Sequence, residues 1–475
     1  MSARVLVIAY DFPPHGAIGT MRTLRLVRHL HREGWQVTVL TGSPATYLPG
    51  TPVERGTEAQ VPPGVEVLQV RAIRPFVALE TLIRRMRPGR AVATPAPDVS
   101  RTPARAKGAA ARPWWLRTLV RTRDMVEAAL DIPDKESGWM VPAVVRGVLH
   151  MLKAGRPDVI YSSAPPWTGQ VVALALARLS SRAWVADFRD PWARAPWRDW
   201  RTSFRRRAVA SLERRVVTRA DAVLFVTAAN RAEFVACYGP SAAPKFQLVP
   251  NGCDPTEVQA LPLLAPRDEF VLLHAGTFYG PRSPMPVIEA MARAVHRGAL
   301  DRERFRLRLL GHIDLSVDVP AECRKLGIGH MVEFVPRVTR DESLREMKSA
   351  SALLLVQIGT TVSVPAKAYE YLAVGRPVLA VSEEGETSAL VRASGIGVSV
   401  RPDQPVAEVE AALLDVVSLA RRAFAPPGAH LYDGRVHAAG AVEILRRLAH
   451  GGRRARLPSA ASVATGAART EELRR

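Results

Sequence analysis

Residues 4–10 read RVLVIAY, and residues 11–20, DFPPHGAIGT, follow directly as a loop with two prolines and two glycines. Residues 21–32 then carry apolar side chains at helical spacing, and residues 36–40 form a second apolar run after Gly34. An apolar run, an amphipathic helix and another apolar run are typical of a βαβ unit in a parallel sheet. The opening of the chain therefore predicts an α/β fold.

The same alternation of apolar runs and helical patterns recurs in two series. The later runs of the first series lie at residues 158–162, 183–187 and 222–226. The runs of the second series lie at residues 270–274, 305–310, 332–335, 352–356 and 377–381. The Pro- and Leu-rich residues 261–267 separate the two series. The sequence predicts two doubly wound, Rossmann-like domains, residues 1–262 and 263–450, that face each other across a ligand-binding cleft.

Two segments do not fit this alternation. Residues 84–107 contain seven cations and a single carboxylate, Asp98, among Pro, Ala and Gly residues. This composition predicts a disordered insertion in the first domain. The last residues, 451–475, are rich in Ala, Arg and Ser and predict a disordered tail.

The chain has 66 Lys and Arg residues against 45 Asp and Glu residues, a net charge of +21. A positive field of this kind favours polyanionic partners such as diphosphates, anionic lipid headgroups or nucleic acid, although a compositional bias towards Arg explains the charge equally well. The sequence shows no nucleic-acid recognition module and no sheet motif with interleaved aromatic residues. Nucleic acid is therefore not a predicted partner.

The three cysteines, Cys237, Cys253 and Cys323, are widely separated and predict neither a disulfide framework nor a zinc site. No Asp-x-Asp motif occurs, so no metal ion or other cofactor is expected to be essential. The apolar run near the N-terminus is too short for a signal peptide, and no stretch approaches the roughly 18 apolar residues that span a bilayer. These features predict a cytoplasmic protein with peripheral contact to the inner face of the plasma membrane.

Four segments carry a resemblance to a known family: residues 10–14 (YDFPP), 157–163 (PDVIYSS), 187–192 (DFRDPW) and 249–252 (VPNG). They resemble glycosyltransferase family 4, in particular the branch that builds bacterial surface polysaccharides. The resemblance covers nearly the whole chain except residues 84–107 and the tail. It implies the GT-B fold and a retaining transfer of a sugar from a nucleotide-sugar donor to a saccharide or polyprenyl-linked acceptor.

The candidate site of the first domain lies at the ends of its strands. Gly16 and Gly19, between the first strand and helix, let backbone N–H groups approach an anion of the donor, the alternative being a tight turn. Arg22, in the first helical turn, adds positive charge on the acceptor side. Arg189 and Asp190 follow a later strand and, by the resemblance, line the acceptor side, where Asp190 would hold an acceptor hydroxyl. The alternative is a buried Arg–Asp pair that ties a loop.

The candidate donor site of the second domain begins at Gly276. Family members often have an Arg directly after this Gly and a Lys six residues after it, both gripping the donor diphosphate. The resemblance places Arg282 at the Lys position, with its charge retained, and Thr277 at the Arg position, without a charge. Gly311 resembles the family's glycine in a loop near the base or diphosphate.

The stretch VSVPAKAYEYLAVGRPVLA, residues 362–380, predicts a helix that starts near Pro365 and ends at Gly375. Free N–H groups at its start and Lys367 in its first turn suit phosphate oxygens, and Glu370 suits a ribose diol. The alternative for Glu370 is a solvated helix carboxylate that pairs with Lys367 three residues earlier. The resemblance places Glu370 at the second of two family carboxylates and Val362 at the first, which is a departure. Arg282 and Lys367 are therefore predicted to stabilise the leaving diphosphate, with no side-chain nucleophile.

A membrane contact is predicted for residues 195–216. Arginines crowd one side of this helical pattern, and its apolar face carries Trp197, Trp200, Phe204, Leu212 and Val216. This is the pattern of an interfacial helix on anionic lipid, while a helix packed on the first domain is an equal alternative for residues 208–216.

Two other functions stay open at this stage. One is a nucleotide-sugar epimerase or hydrolase on the same scaffold, and the other is a non-catalytic protein that binds sugar nucleotides or nucleic acid. The substitutions at Val362 and Thr277 favour a non-catalytic protein, but the retained Arg282, Lys367 and Glu370 oppose it more strongly.

Overall fold

The computed structural model of the chain describes residues 2–17, 19–74, 131–195, 202–265 and 267–451. The insertion predicted at residues 84–107 and the tail from residue 452 lie outside the described residues. The described chain divides into two compact units. The first comprises Met1–Phe225, Tyr238–Gln247 and a segment that begins at Ala438, and the second comprises Val226–Cys237 and Leu248–His437.

The first unit is built on a seven-stranded sheet in the order β3-β2-β1-β4-β5-β6-β7. Its strands are β1 (Arg4–Ile8), β2 (Gln36–Gly42), β3 (Glu66–Val70), β4 (Val159–Ala164), β5 (Ala183–Phe188), β6 (Ala222–Phe225) and β7 (Phe246–Leu248). The helices along this part of the chain are α1 (Gly19–Arg32), α2 (Met140–Ala154), α3 (Thr168–Ser180), α4 (Ser203–Arg219) and α5 (Ala228–Tyr238). Every residue of β4 and β5 is buried, as expected for central strands of a parallel sheet covered on both faces.

The second unit is built on a six-stranded sheet in the order β12-β10-β8-β13-β14-β15. Its strands are β8 (Phe270–Ala275), β10 (Phe305–Leu310), β12 (Val332–Val335), β13 (Ala352–Gln357), β14 (Val378–Ser382) and β15 (Gly397–Val400). Two short strands, β9 (Phe278–Tyr279) and β11 (Ile313–Asp314), form a separate parallel pair. The helices after α5 are α6 (Pro255–Gln259), α7 (Met285–His296), α8 (Val319–Lys325), α9 (Arg340–Ser349), α10 (Ala366–Val374), α11 (Glu386–Ser394), α12 (Val406–Ala420) and α13 (Gly434–Gly451).

Neighbouring residues of the same strand enter different cores in the second unit. Leu272 and Leu354 belong to one buried cluster, whereas Leu273 and Leu353 belong to another. Because successive side chains of a strand point to opposite faces, helices cover both faces of this sheet. The prediction of two doubly wound parallel sheets in an α/β fold is confirmed.

Each sheet reverses its strand order once. The chain builds the first sheet outwards from β1 to β3 on one side and from β4 onwards on the other, and the second sheet reverses between β8 and β13. Ligands of open α/β sheets bind outside the carboxyl ends of the strands at such switch points. The two switch points therefore mark where candidate site residues have to lie.

The helix predicted to lie on a membrane is α4, and its later half is packed. Val209, Val216 and the carboxylate Glu213 are buried within the first unit. The predicted lipid contact of Val216 is therefore wrong, because this side chain belongs to the core, whereas Phe204 in the first turn is 67% exposed. Residues 196–201 lie outside the described part of the chain. Among the described residues, no helix is long and apolar enough to cross a membrane.

Candidate functional site

At the switch point of the first sheet, Arg189 lies against the loop that follows β1. Its Nη2 atom is 3.2 Å from Asp11 Oδ2, and it also donates to the carbonyl oxygen of Pro165. A Cβ atom at Gly19 would overlap the Arg189 guanidinium. Gly19 is thus required for the close approach of this arginine. Asp11 was not predicted as a site residue, although its carboxylate directly follows the apolar run of residues 4–10.

Gly16 has a packing role in the same loop. Its N–H group donates to the carbonyl oxygen of Pro52 at 2.8 Å, and a Cβ atom there would lie 3.1 Å from that oxygen. The next N–H group, that of Ala17, donates to His15 Nδ1 at 3.2 Å. Both of these N–H groups of the loop are therefore already paired within the protein.

Arg22 pairs with a carboxylate that the sequence analysis did not single out. Its Nε and Nη2 atoms donate to Asp187 Oδ2 and Oδ1, each at 2.8 Å. Asp187 is fully buried and also accepts from the Tyr161 hydroxyl at 2.7 Å and the Ser163 hydroxyl at 3.2 Å. A buried Arg–Asp pair was the alternative prediction for Arg189 and Asp190. In the structure, Arg22 and Asp187 form such a pair. The sequence feature that could have identified Asp187 is its position as a carboxylate near the end of an apolar strand.

Burial governs the protonation of the loop after β1. It raises the pKa of Asp11, even though Arg189 and His15 act in the opposite direction. It also lowers the pKa of His15, although Asp11 favours the charged imidazole. Asp190 is half-buried and follows Arg189 directly at the carboxyl end of β5. The first unit thus brings Arg189, Asp190 and the loop with Gly19 to one edge of its sheet.

At the switch point of the second sheet, side chains bridge β8 and β13. The carbonyl oxygen of Leu354 accepts from His274 Nδ1 at 2.9 Å and from the Tyr371 hydroxyl at 3.1 Å. Because His274 donates through Nδ1, its Nε2 atom carries a lone pair. Both His274 Nε2 and Gln357 Oε1 are buried and have no hydrogen-bond partner among the described residues. Two unsatisfied acceptors thus lie at the carboxyl ends of the strands that flank the switch point.

Gly276 and Gly311 contact each other at this edge. The N–H group of Gly276 donates to Leu310 O at 2.9 Å, and Gly311 has φ +135°. A Cβ atom at Gly311 would overlap the carbonyl oxygen of Gly276. Only glycine suits both the backbone angle and the close approach. Arg282 is half-buried, and its guanidinium lies 4.8 Å from the centre of the Tyr279 ring.

Helix α10 begins without a capping side chain, since its N-cap residue is Pro365. Lys367 Nζ is 2.8 Å from Glu370 Oε2, and Arg340 Nε is 3.3 Å from Glu370 Oε1. Burial opposes ionisation of Glu370, but Lys367 and Arg340 outweigh it and hold the pKa of Glu370 below its ordinary value. Glu370 is therefore a charged carboxylate with a cation at each oxygen. Arg340 lies on a different helix, so the local sequence around Glu370 gives no sign of it.

The predicted donor residues of the second unit come close to one another. Lys367 pairs with Glu370, and Gly276 contacts Gly311. Burial is the main cause of the low pKa of His274, and the charges of Lys367 and Arg282 lower this pKa further. Both cations therefore lie near the carboxyl end of β8. Among the residues that the structure describes, no group of three His, Cys, Asp or Glu side chains is placed to hold a metal ion.

Residues 104–252 match the model of the Glycosyl transferase 4-like domain. The match spans 149 of the 475 residues. No curated protein matches this chain.

Solved structures share the two-sheet architecture of this chain. Alr3699/HepE of Anabaena, solved with UDP and glucose, is 14% identical with a TM-score of 0.57, over 94% of this chain and 99% of that protein. Sucrose-phosphate synthase of Thermosynechococcus elongatus is 15% identical with a TM-score of 0.57, over 95% and 100%. A putative UDP-N-acetylglucosamine 2-epimerase of Listeria monocytogenes is 12% identical with a TM-score of 0.55, over 96% and 98%.

The fold is therefore that of the GT-B glycosyltransferases, and the family match adds the glycosyltransferase domain. The predicted enzyme class is confirmed at the level of domain family and fold. Since a putative epimerase has the same fold, the fold alone does not separate that alternative, whereas the family match favours glycosyl transfer.

Proposed function

We propose that the chain is a retaining glycosyltransferase that moves a sugar from a nucleotide-sugar donor to a saccharide or polyprenyl-linked acceptor. The observation that carries this proposal is the Lys367–Glu370 pair at the uncapped start of α10, close to the switch point of the second sheet. The fold relative HepE was solved with UDP and with UDP-glucose, which supports a nucleotide-sugar donor here.

The donor diphosphate meets positive charge from three sources in this proposal. Free N–H groups at the start of α10 attract phosphate oxygens through the helix dipole. Lys367 adds a mobile ammonium group and Arg282 a planar guanidinium, which binds phosphate oxygens in pairs. Glu370 accepts hydrogen bonds from the ribose hydroxyls. His274 Nε2 and Gln357 Oε1 supply two further acceptors for donor hydroxyl or N–H groups.

Transfer proceeds as the bond between the anomeric carbon and the diphosphate oxygen breaks and its electron pair stays on the diphosphate. The acceptor hydroxyl attacks the anomeric carbon from the same face, and its proton passes to a diphosphate oxygen. Arg282 and Lys367 stabilise the charge that grows on the leaving group, so neither a metal ion nor a side-chain nucleophile enters this proposal. For the acceptor, the first unit offers Arg189 and Asp190 as groups that bind a hydroxyl. Arg22 supports them by holding the neighbouring Asp187 in place.

A panel of nucleotide-sugars in a thermal-shift assay tests the donor. A donor at 100 times its dissociation constant stabilises the protein by about 2.7 kcal/mol. Product analysis with and without an acceptor then separates the alternatives. An epimerase or hydrolase alters the nucleotide-sugar without an acceptor, and a non-catalytic protein binds it and forms no product with any acceptor.

Glu370→Gln is expected to weaken binding of the nucleotide-sugar by about ten- to a hundredfold, the effect of losing about 1.5–3 kcal/mol from a charged hydrogen bond. Isothermal titration calorimetry measures this change. Glu322→Gln is the matched control, because Glu322 also pairs with a lysine three residues away, Lys325, at 2.6 Å, and this pair is exposed. Equal dissociation constants for wild type and Glu370→Gln, with both proteins folded, would remove Glu370 from the donor site.

We further propose that the first unit contacts an anionic membrane surface through α2 and the start of α4. Four residues of α2 recur at helical spacing and are exposed: Val141 (63%), Val145 (51%), Leu149 (54%) and Leu152 (78%). Exposed cations accompany this apolar stripe at Arg146, Lys153 and Arg156, and Phe204 of α4 is followed by exposed Arg206 and Arg207. Apolar side chains among cations are the pattern that binds anionic lipid interfaces. A polyprenyl-linked acceptor would require such a contact, because its lipid stays in the bilayer.

Vesicle flotation tests the membrane contact. Wild type is expected to bind anionic phosphatidylglycerol vesicles at low salt and to dissociate as salt rises, since charge attraction falls within a Debye length of about 8 Å at physiological salt. Changing both Leu149 and Leu152 to Ser should weaken binding by more than about tenfold, because burying one leucine side chain contributes about 1.5–3 kcal/mol. Leu179→Ser, which alters an exposed leucine of α3, is the control. Wild type that ignores anionic vesicles at low salt would make a water-soluble acceptor the better proposal.

A further inference from the structure

Arg340 connects Glu370 to a second carboxylate. It is the first residue of α9, and its Nε atom lies 3.3 Å from Glu370 Oε1 on α10. Its Nη2 atom lies 3.3 Å from Glu257 Oε2 on α6. The guanidinium therefore bridges two helices and sits between two carboxylates. All three side chains belong to the second unit.

The two cations at Glu370 differ in how firmly they are held. Arg340 is 19% exposed, is clamped by Glu257, and follows a capping box in which Thr339 and Glu342 satisfy each other's N–H groups. Lys367 is 29% exposed. Apart from Glu370, its ammonium group has one longer contact, with Ser343 Oγ at 3.4 Å. A planar guanidinium between fixed partners loses little freedom on pairing, whereas an ammonium group on a flexible stem exchanges partners readily.

We propose that Arg340 is the permanent partner that positions Glu370, so that Lys367 can leave Glu370 and bind the diphosphate of the donor. This inference rests on the proposed function. If Lys367 were the sole cation at Glu370, its departure would leave a carboxylate that is only 16% exposed without a compensating charge, which is unfavourable. With Arg340 in place, Glu370 stays charged and oriented towards the ribose while Lys367 moves. Arg340 is thus a positioning residue that acts through Glu370.

The groups around Glu370 predict that two variants differ in their affinity for pyrophosphate. In Glu370→Gln, Lys367 loses its competing carboxylate, so pyrophosphate should bind as tightly as to wild type or more tightly. In Arg340→Gln, Lys367 becomes the only cation at Glu370, so pyrophosphate should bind roughly tenfold more weakly, the scale of a charged contact. The double variant should return to the affinity of Glu370→Gln, because no carboxylate then retains Lys367.

Calorimetry with uridine, guanosine, adenosine and thymidine diphosphates tests the role of Glu370 itself. With the tightest of these, Arg340→Gln should bind roughly tenfold more weakly than wild type and Arg340→Lys less than that. Loss of Arg340 leaves Glu370 facing Lys367 on its own helix, and Glu257 on α6 loses its guanidinium partner. The pKa of Glu370 then rises, so affinity for the diphosphate should begin to fall at a higher pH as the solution is acidified.

Arg308→Gln is the matched control, because Arg308 also lies between two carboxylates of the second unit, Glu333 and Glu346. It should leave the affinities and the pH profile as in wild type. Weaker diphosphate binding in Glu370→Gln, together with wild-type affinities and pH profile in Arg340→Gln, would overturn the role of Arg340 alone. Wild type and Glu370→Gln with equal affinity for the diphosphate, or a wild type that binds none of the four, would overturn the proposed donor site and this inference with it.

Discussion

Arg22→Ala is expected to lower the free energy of unfolding of the first unit by about 3–5 kcal/mol, the cost of removing one partner of a buried ion pair. Arg22 donates two hydrogen bonds to Asp187, which has no solvent exposure. Without Arg22, this carboxylate would keep its hydrogen bonds from Tyr161 and Ser163 but lose the compensating charge. Urea denaturation followed by tryptophan fluorescence measures the change.

The control for this change is Arg28→Ala on the same helix, since Arg28 makes exposed hydrogen bonds to Gln60. Its effect should stay below about 1 kcal/mol. A double variant, Arg22→Leu with Asp187→Asn, should recover part of the loss, because it removes both charges together. If Arg22→Ala lowers the free energy of unfolding no more than Arg28→Ala does, the Arg22–Asp187 pair does not stabilise the first unit.

The second large effect concerns acid stability. Burial lowers the pKa of His274 to about 4, against the ordinary value of 6.5, although its hydrogen bond to Leu354 opposes this shift. Above pH 6.5 this histidine is neutral in both the folded and the unfolded state, so it does not reduce the free energy of unfolding. As the pH falls from 6.5 towards 4, the imidazole becomes protonated only in the unfolded chain, and the free energy of unfolding decreases. Between pH 7 and pH 4, wild type should lose about 3 kcal/mol more stability than His274→Gln, which has no group to titrate there.

Urea denaturation of both proteins across this pH range measures the difference, and the comparison cancels the carboxylates that titrate in the same range. His330→Gln is the control, because His330 is exposed and its replacement should leave the pH dependence of wild type intact. Parallel stability curves for wild type and His274→Gln would show that the buried imidazole does not resist protonation.

The same residues show how far each part of the site could be predicted. Gly311 and Gly276 were recognised individually, and the structure explains them by a positive φ and a close backbone approach. The Lys367–Glu370 pair lies three residues apart on one helix, so local spacing predicted their neighbourhood. The partners of Arg22 and Arg189 were not predicted, since several carboxylates follow strands in the first domain.

The sequence by itself determined the alternation of strands and helices, and hence two doubly wound sheets, because hydrophobic periodicity and turn residues act over a few neighbours in the chain. Only the tertiary structure decided which charges pair. Arg22 and Asp187 are 165 residues apart, and Arg340 reaches Glu370 from another helix. Such pairs depend on which strand ends and helices the sheet order brings side by side. Periodicity carries no information about that order, because every parallel strand presents its carboxyl end at the same edge of the sheet.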